Sequence, residues 1–316
     1  MIFGTAQRLS AVGILGINRR NSHYITVYNP RHRYPLVDDK LKTKELALAA
    51  GLAVPELYGV VEIEHQVGEL QEMLACYPEF VIKPAQGSSG DGVLVIVGRS
   101  KYMYRLASGL LMNQAELEYY VSNILSGLFS LGGHADKALI EYRVQFGPLF
   151  AAISYQGVPD IRIIVFLGVP VMAMVRLPTR LSKGKANLHQ GAIGAGIDLA
   201  SGRTLSAVWH NDIITEHPDT GNPVTDVQIP HWDRLLGIAA QAYELIGLGY
   251  VGVDLVLDRD KGPLILELNA RPGLNIQIAN RTGILPRLQL VERAHTALQG
   301  VEERIAFARE HFQARV

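Results

Sequence analysis

The feature that most constrains this chain is a pair of apolar segments near residue 260, Tyr250–Leu257 and Leu264–Asn269, joined by a short polar link. Apolar runs of this length, bounded by turn-forming residues, are typical of buried β-strands. The link, residues 258–263, is rich in Asp, Gly and Pro, which favour tight turns. The sequence therefore predicts an antiparallel hairpin with both strands in the core.

Three polar residues interrupt the apolar pattern of this hairpin. Side chains alternate between the two faces of a strand, so Glu267 and Asn269 share one face, and Asp254 points away from the apolar face of its own strand. A turn centred between Asp260 and Lys261 would place Asp254 opposite Glu267. Two opposed carboxylates destabilise a sheet unless a cation offsets them, and Mg²⁺ prefers oxygen ligands. The pattern predicts a Mg²⁺ site, and the alternative is a solvated polar face.

A second motif is the glycine-rich segment Gly87-Ser88-Ser89-Gly90-Asp91-Gly92, which follows a predicted strand, Phe80–Lys83. Glycines let backbone N–H groups approach phosphate oxygens, and the serines and Lys83 add donors and a charge. The lysine precedes the glycines and another strand follows, so the motif is neither a Walker A loop nor a Rossmann turn. Lys40 and Lys44 lie one helical turn apart and could reach the same phosphates. The alternatives are a flexible hairpin and a solvated basic helix face.

Strands and helices interleave along the rest of the chain. The spacing predicts a helix over 40–50, closed by Gly51, and another over 232–248. Strands are predicted at 59–63, 93–97, 138–144, 150–155, 161–167 and 171–176, helical structure at 102–132, a basic loop at 178–196, and an amphipathic helix from 285 to the end. This mixture predicts an α+β or mixed α/β fold rather than a doubly wound sheet.

Composition limits the classes of function. The chain has 316 residues, 48% of them apolar, and a formal net charge of zero, which argues against a broad nucleic-acid or membrane footprint. The one cysteine, Cys76, cannot form an internal disulfide. We find no transmembrane segment and no secretory signal in the sequence, and we therefore expect a cytoplasmic protein.

The motifs, taken together, resemble the ATP-grasp superfamily, and within it the RimK-like glutamate ligases. Five blocks carry the resemblance in order: Asp39-Lys40 with Gly51 and Pro55; Val81-Ile82-Lys83-Pro84 with Gly87-Ser88-Ser89-Gly90; Asp160-Ile161-Arg162; Asn187-Leu188-His189-Gln190-Gly191; and Gly252-Val253-Asp254 through Glu267-Leu268-Asn269 and Pro272-Gly273-Leu274 to Thr282-Gly283. Each block is short, but their joint order and spacing are specific.

The resemblance implies an ATP-grasp fold in which two α+β subdomains clamp ATP. Residues 1–38 would form an N-terminal extension, 39–145 a subdomain with the glycine-rich lid loop, and 146–316 a subdomain with the metal site and a C-terminal helix. About 38 residues precede the Asp39-Lys40 block, so the pre-grasp region would be truncated relative to RimK-like ligases.

The resemblance also implies a role for individual residues. Asp254, Glu267 and Asn269 match the Mg²⁺ ligands, and Lys40 and Lys83 match the phosphate-binding lysines. The remaining matches are Ser88, Ser89 and Gly90 in the lid, Glu141, Tyr142 and Arg143 in the segment that meets adenine, Arg162, Asn187 and Arg271 at the reacting centre, and Arg176 and His189 as substrate contacts.

The implied chemistry is an ATP- and Mg²⁺-dependent carboxylate–amine ligation through an acyl phosphate, with two Mg²⁺ ions and Mn²⁺ as a substitute. The expected partners are an amino acid such as glutamate and an amine, peptide or protein acceptor, without nucleic acid, and the long C-terminal helix suggests a homodimer. Two alternatives stay open: a kinase-type phosphotransferase acting on a non-carboxylate acceptor, and a nucleotide-binding partner protein without catalysis. Intact lysines and metal ligands argue against the last.

Overall fold

The computed structural model describes residues 9, 11–87, 90–100, 103–130, 132–210 and 212–314. The chain folds into two compact units. The larger unit comprises residues up to 37, residues 46–53 and residues from 145 onward; the smaller unit comprises residues 38–45 and 54–144. None of the helices in the described part of the chain is both long enough and apolar enough to cross a membrane.

Strands make up both sheets, and helices cover them. The strands are β1 Leu57–Val61, β2 Phe80–Pro84, β3 Leu94–Ser100, β4 Met103–Leu106, β5 Leu111–Asn113, β6 Ala138–Glu141, β7 Asp160–Phe166, β8 Val169–Leu177, β9 Ile193–Ile197, β10 Thr204–Trp209, β11 Asp212–Ile214, β12 Tyr250–Asp258 and β13 Gly262–Asn269. The α-helices are α1 Ile17–Arg19, α2 Thr26–Tyr28, α3 Pro35–Asp38, α4 Lys40–Ala49, α5 Leu70–Met73, α6 Gln114–Leu125, α7 Pro148–Ala152, α8 Trp232–Ile246, α9 Ile276–Ala279, α10 Leu285–Ala294 and α11 Val301–Phe312. A π-helical segment lies at Arg20–Ile25, and short 3₁₀-helices lie at Arg31–Arg33, Glu64–Glu69, Leu188–Gln190 and His295–Ala297.

The smaller unit contains a six-stranded antiparallel sheet in the order β1-β6-β2-β3-β4-β5. Helix α6 packs on it, starting from a capping box in which the Asn113 side chain accepts from the Glu116 backbone N–H and the Glu116 carboxylate accepts from that of Asn113. On the neighbouring strands β2 and β6, Lys83 pairs with Leu139 and Glu141 pairs with Val81. Lys83 and Glu141 are therefore diagonal neighbours on one face of the sheet.

The larger unit contains a seven-stranded antiparallel sheet in the order β11-β10-β9-β8-β7-β12-β13. Strand β12 is buried along its whole length, and β7 and β8 are buried except at one arginine each, Arg162 and Arg176. Helix α8 packs on β7 and β12 through its apolar face, and α11 packs on β8. Strands β7, β8 and β12 are thus almost entirely apolar, and the few charged residues they carry are described below.

A short N-terminal segment completes the edge of this unit. The buried Asn29 side chain forms hydrogen bonds to the backbone, as a neighbouring strand would. Its Nδ2 donates to the carbonyls of Tyr250 at 2.7 Å and Ala270 at 3.0 Å, and its Oδ1 accepts from the Tyr250 N–H at 2.8 Å. Leu15 is tied in a similar way to the Gln277 side chain, by hydrogen bonds of 2.8 and 3.1 Å. These contacts satisfy backbone groups where the segment and the hairpin meet.

The predicted pairing of Asp254 with Glu267 is confirmed, but the predicted turn is not. Asp258 pairs with Gly262, so the turn is centred on Asp260 and not between Asp260 and Lys261, a difference of half a residue. That register alone would place Asp254 opposite Leu266. A register shift between Asp254 and Leu255 adds one residue to β13 and moves Glu267 into place. Such a bulge re-aims a side chain locally, and here it creates the carboxylate pair.

Other sequence predictions were wrong in ways that have local causes. Residues 102–132 are not helical throughout, because Gly109, at φ +87°, turns the chain between β4 and β5 before α6 begins. Residues 150–155 form helix α7 and a turn instead of a strand, since Pro148 starts the helix and Phe150 and Ile153 are its buried positions. The predicted basic loop ends earlier, because β9 begins at Ile193.

The remaining differences concern the C-terminal half. The predicted single tail helix is two helices, α10 and α11, separated by residues 295–300. Strands β10 and β11 were not predicted. The glycines of β9 concealed that strand, but Gly196 is needed, because a Cβ there would lie 2.7 Å from the Ala279 carbonyl oxygen.

We expect Asn29→Ala to destabilise the larger unit by about 3 kcal/mol, because the truncation leaves buried backbone groups of Tyr250 unpaired. Both tryptophans, Trp209 and Trp232, belong to this unit, so fluorescence-detected urea unfolding measures the change. Asn18→Ala, at an exposed position in the same segment, is the control and should stay within about 0.5 kcal/mol of the unmutated chain. Equal stabilities of the two variants would contradict the assigned role of Asn29.

Candidate functional site

Asp254 is the centre of a charged cluster inside the larger unit. It lies on β12, directly opposite Arg162 on β7 and Glu267 on β13. The Arg162 guanidinium binds the Asp254 carboxylate in two places, Nε to Oδ1 at 2.7 Å and Nη2 to Oδ2 at 2.5 Å. The Asp254 side chain is completely buried, and this bidentate pair provides most of the compensation for its charge.

A second arginine joins this pair. Arg176 on β8 is directly opposite Asp160 on β7 and binds its carboxylate through both Nε and Nη2. The same Nη2 atom reaches Asp254 Oδ2 at 2.9 Å. The side chains of Arg162 and Arg176 are only 11% and 12% exposed, so four charged groups share a desolvated space. Arg176, which we predicted as a substrate contact, is instead already bound to two carboxylates.

The pKa values of the two aspartates move in opposite directions. Burial favours a neutral Asp254, but the positive charges of Arg162 and Arg176 outweigh it and hold its pKa well below the usual range. Burial raises the pKa of Asp160 to about 6, against the opposing charge of Arg176 and with the help of the negative charge on Asp254. Asp254 is therefore ionised at neutral pH, and Asp160 is mostly ionised there.

Glu267 and Asn269 complete the predicted metal set. Asn269 Nδ2 lies 3.2 Å from both Asp254 Oδ2 and Glu267 Oε1, so the three side chains converge on one point. Both Glu267 and Asn269 are partly exposed, whereas Asp254 is not. Rotation of the amide would replace its nitrogen by its oxygen, giving three hard oxygen donors of the kind that Mg²⁺ prefers. The donor set fits a divalent cation, although Asp254 would have to share its carboxylate with the arginines.

A second cluster, in which two lysines surround one glutamate, lies in the smaller unit. The Glu141 carboxylate on β6 forms ion pairs with two lysines: Lys83 Nζ is 2.5 Å from its Oε1, and Lys44 Nζ is 2.9 Å from its Oε2. All three side chains are at least nine-tenths buried. The Lys44 contact lacks hydrogen-bond geometry to Oε2, so it is an ion pair, while the Lys44 ammonium donates to the Pro55 carbonyl. One carboxylate is thus shared by two ammonium groups.

The pKa values of Glu141 and Lys44 reflect the sharing of one carboxylate by two ammonium groups. Burial opposes ionisation of Glu141, but Lys83 and Lys44 outweigh it and lower its pKa. Burial also lowers the pKa of Lys44, with Glu141 opposing and Lys83 adding to the effect. The cluster carries one more positive than negative charge, which suits the binding of an anion.

The glycine-rich segment begins close to these lysines. Lys40 donates through Nζ to the Gly87 carbonyl, and its backbone N–H donates to the Ala85 carbonyl at 2.9 Å. Ser88 and Ser89, both predicted phosphate contacts, lie outside the described residues. Gly90 is exposed and adopts φ +73°, a conformation that favours glycine.

The predicted adenine segment has well-defined contacts of its own. The Glu141 side chain is used by the lysines, so its predicted contact with adenine would have to come from the backbone. The Tyr142 N–H donates to the Glu56 carbonyl at 2.8 Å. Arg143 binds Glu79 through Nε at 3.0 Å and Nη2 at 2.5 Å.

Three further predicted residues contact neither aspartate of the cluster through any described hydrogen bond. Asn187 Oδ1 accepts from the His189 backbone N–H at 3.0 Å and so caps the turn Leu188–Gln190. The His189 side chain is exposed. Arg271 is also exposed, and its guanidinium stacks 4.8 Å from the centre of the Tyr34 ring.

Two residues of the clusters were not among the predicted site residues. Asp160 lies two positions before Arg162, so strand alternation alone places both on one face beside Asp254. Lys44 was weighed with Lys40 but not chosen, because helical spacing cannot tell a buried lysine from an exposed one. Lys44 is buried because it pairs with Glu141, which lies on a strand distant in sequence.

Comparison with known proteins gives a consistent family. The model of the sugar-transfer associated ATP-grasp family matches residues 19–293. A probable alpha-L-glutamate ligase of Pectobacterium carotovorum is 25% identical over 236 residues, 75% of this chain and 56% of its own length. A ribosomal protein bS6–L-glutamate ligase of Salmonella paratyphi B is 24% identical over 246 residues, 78% and 59% of the two lengths. The chain thus spans somewhat more than half the length of these curated relatives.

Among solved structures, the D-alanine–D-alanine ligase from Coxiella burnetii matches with 16% identity and a TM-score of 0.47. The match covers 88% of this chain and 59% of that one.

We expect Glu141→Gln to destabilise the smaller unit by about 3–5 kcal/mol, because it leaves two buried lysines without a counter-charge. The stability of this variant should rise as the pH is raised from neutral towards 10.5, the ordinary pKa of lysine. A lysine whose pKa is lowered by folding binds fewer protons in the folded state, so raising the pH favours folding. Differential scanning calorimetry across that pH range measures both effects.

Glu79→Gln is the matched control, since it also removes a carboxylate from an ion pair, here with the more exposed Arg143. It should cost no more than about 1 kcal/mol and leave the pH dependence unchanged. A Glu141→Gln variant as stable as this control would contradict the proposed charge balance.

Proposed function

The chain belongs to the sugar-transfer associated ATP-grasp family, and from this premise we propose that it is an ATP- and Mg²⁺-dependent carboxylate–amine ligase. The observation that carries the proposal is the convergence of Asp254, Glu267 and Asn269 beside two arginines, in a chain that also has a buried lysine cluster. Such a pairing of oxygen donors with cations suits a nucleoside triphosphate and its Mg²⁺ ion. Relatives named as glutamate ligases support the same reaction class.

In this proposal each set of residues has one task. Lys40, Lys83 and the lid around Ser88, Ser89 and Gly90 bind the phosphates. Asp254, Glu267 and Asn269 hold Mg²⁺, which would supply charge neutralisation on the phosphates when bound. The segment Glu141-Tyr142-Arg143 meets adenine through its backbone, and Asn187, His189 and Arg271 face the substrates.

Arg162 has the most specific task. It is held against Asp254 by two hydrogen bonds and is still partly accessible, so its guanidinium is oriented before any substrate binds. A preoriented cation stabilises charge that develops in a transition state without reorganisation. Arg176, fixed by Asp160, shares the balancing of the Asp254 charge while the remaining N–H groups of Arg162 bind a phosphate.

The reaction proceeds in two steps. An oxygen of the substrate carboxylate attacks the γ-phosphorus of ATP, and ADP leaves, which gives an acyl phosphate. The neutral amine of the acceptor then attacks the acyl carbon, phosphate leaves, and the amine loses a proton to solvent. The protein supplies positioning and charge stabilisation and forms no covalent bond with the substrate.

We propose an amino acid such as glutamate as the carboxylate substrate, and an amine on a peptide, a protein or a small molecule as the acceptor. The description of the family links its members with sugar transfer, so amino sugars belong among the acceptors to be tested. Mn²⁺ in place of Mg²⁺, a second metal ion, cytoplasmic location and a homodimer stay predictions.

The test is ATP-dependent phosphate release, screened over amino acids paired with acidic peptides and amino sugars, with hydroxylamine added in parallel. A ligase gives a hydroxamate with hydroxylamine, because hydroxylamine traps the acyl phosphate. Phosphate transfer without a hydroxamate would favour the kinase alternative. No turnover with any pair, combined with tight ATP binding, would favour a non-catalytic partner protein.

We expect Glu267→Gln to lower turnover about 100-fold or more and to weaken Mn²⁺ binding, followed by electron paramagnetic resonance, because it removes a charged ligand. Glu302→Gln, which removes the same charge from an exposed helix position, is the control and should change neither quantity. Unchanged Mn²⁺ affinity in Glu267→Gln would remove the metal assignment.

A further inference from the structure

The segment Pro178–Gly191, called here the basic loop, leaves the large sheet beside the charged cluster. It follows β8 two residues after Arg176, and the chain returns in β9, where Gly194 is directly opposite Arg176. Arg176 in turn is bound to Asp160 and Asp254. The base of the basic loop is therefore adjacent to the proposed reaction site within the larger unit.

Buried polar side chains hold this loop in one conformation. Thr179 and Ser182, both nearly inaccessible, bind each other's backbone groups, and Thr179 Oγ1 also donates to the Gly191 carbonyl at 2.8 Å. The buried His217 ring contacts the Pro178 carbonyl through Nε2 at 3.0 Å. Trp209 Nε1 donates to Gly191 at 2.9 Å. These bonds fix both ends of the loop to the sheet.

The middle of the loop rests on the turn that follows α7. The Tyr155 N–H donates to the Pro178 carbonyl at 3.0 Å. Gly157 lies so close to the loop that a Cβ there would be 1.8 Å from the Gly184 carbonyl oxygen. Lys183 adopts φ +52°, an unfavourable conformation for a residue with a side chain. A loop that keeps such a residue in place is preorganised by its surroundings.

The loop uses this fixed backbone to present cations. Arg180 and Lys183 are exposed, and the Arg180 guanidinium stacks 5.3 Å from the centre of the Tyr155 ring. The sequence of the loop contains no acidic residue. Asp219, from a neighbouring turn, accepts from the Arg180 backbone N–H at 2.7 Å. Positive charge therefore predominates on the exposed side.

We propose that the basic loop is the binding site for an anionic group, phosphate or carboxylate, on the acceptor substrate of the ligase. The inference rests on the proposed function, because it assigns the acceptor of that reaction. A guanidinium is planar, and stacking on Tyr155 fixes the orientation of that plane, which suits two-point binding of phosphate or carboxylate. Lys183 adds a second charge. Since the backbone is already ordered, binding requires little further loss of entropy.

Trp209 allows this to be tested without catalysis. A Trp232→Phe chain retains Trp209 as its one tryptophan, at the end of the basic loop. The probes are glucosamine 6-phosphate against glucosamine, and the dipeptide Glu-Glu against Gln-Gln. We expect glucosamine 6-phosphate or Glu-Glu to change the fluorescence of Trp209 and to bind at least about 10-fold more tightly than its counterpart, which lacks the phosphate or the two side-chain carboxylates.

Two double variants in the same background locate the binding. Arg180→Ala/Lys183→Ala should weaken the preferred charged probe about 100-fold, roughly 10-fold for each lost cation. Arg259→Ala/Lys261→Ala removes the same net charge from the exposed β12–β13 turn and should leave the affinity unchanged.

The outcomes separate clearly. Preference for the phosphate probe identifies a phosphorylated acceptor, and preference for Glu-Glu identifies an acidic one; both support the inference. Equal binding of the two members within both probe pairs, or equal losses in the two double variants, overturns it. ATP turnover is measured separately on the same proteins, so a chain that binds the anion but never hydrolyses ATP would contradict the proposed function and leave the loop assignment standing.

Discussion

The buried carboxylate of Asp254 is the constraint on which the larger unit depends. A fully buried charge of this kind costs several kcal/mol unless it is paired and hydrogen-bonded. Arg162 and Arg176 provide the pairing, and Asp160 holds Arg176 in position. All four residues lie on adjacent strands of one sheet, so register, and not side-chain flexibility, sets their distances. Loss of either arginine would leave more carboxylates than guanidinium groups in this part of the core.

The two clusters have opposite charge balances. In the larger unit three carboxylates, those of Asp160, Asp254 and Glu267, face two guanidinium groups, which leaves one negative charge when all are ionised. In the smaller unit two lysines share Glu141, which leaves one positive charge. The first balance favours a cation and the second an anion. These are the two charged components of a metal–nucleotide complex, so each cluster, considered by itself, agrees with the proposed function.

The sequence predicted the parts of the site that depend on strand alternation. Glu267 and Asn269 share a face because they are two residues apart, and Asp254 opposes Glu267 as expected. The pairing nevertheless arises from a bulge at Leu266, which no periodicity of apolar residues could have indicated. Arg176 was predicted as a substrate contact, because the sequence does not show that Asp160 lies opposite it on the neighbouring strand and binds its guanidinium. The contacts that were missed join residues far apart in the chain.

The same distinction explains why the chemistry can be read from this sequence more readily than the acceptor. The residues that we propose to bind phosphate and metal lie in or beside strands, where alternation and short motifs restrict their positions. The conformation of the basic loop depends instead on His217, on Trp209 and on the absence of a side chain at Gly157. None of these residues belongs to a recognisable motif, and their relation to the loop exists only in the folded chain. Specificity that depends on such contacts can diverge while the catalytic residues stay fixed, because a change at Gly157 or His217 moves the loop without altering the register of β7, β12 and β13.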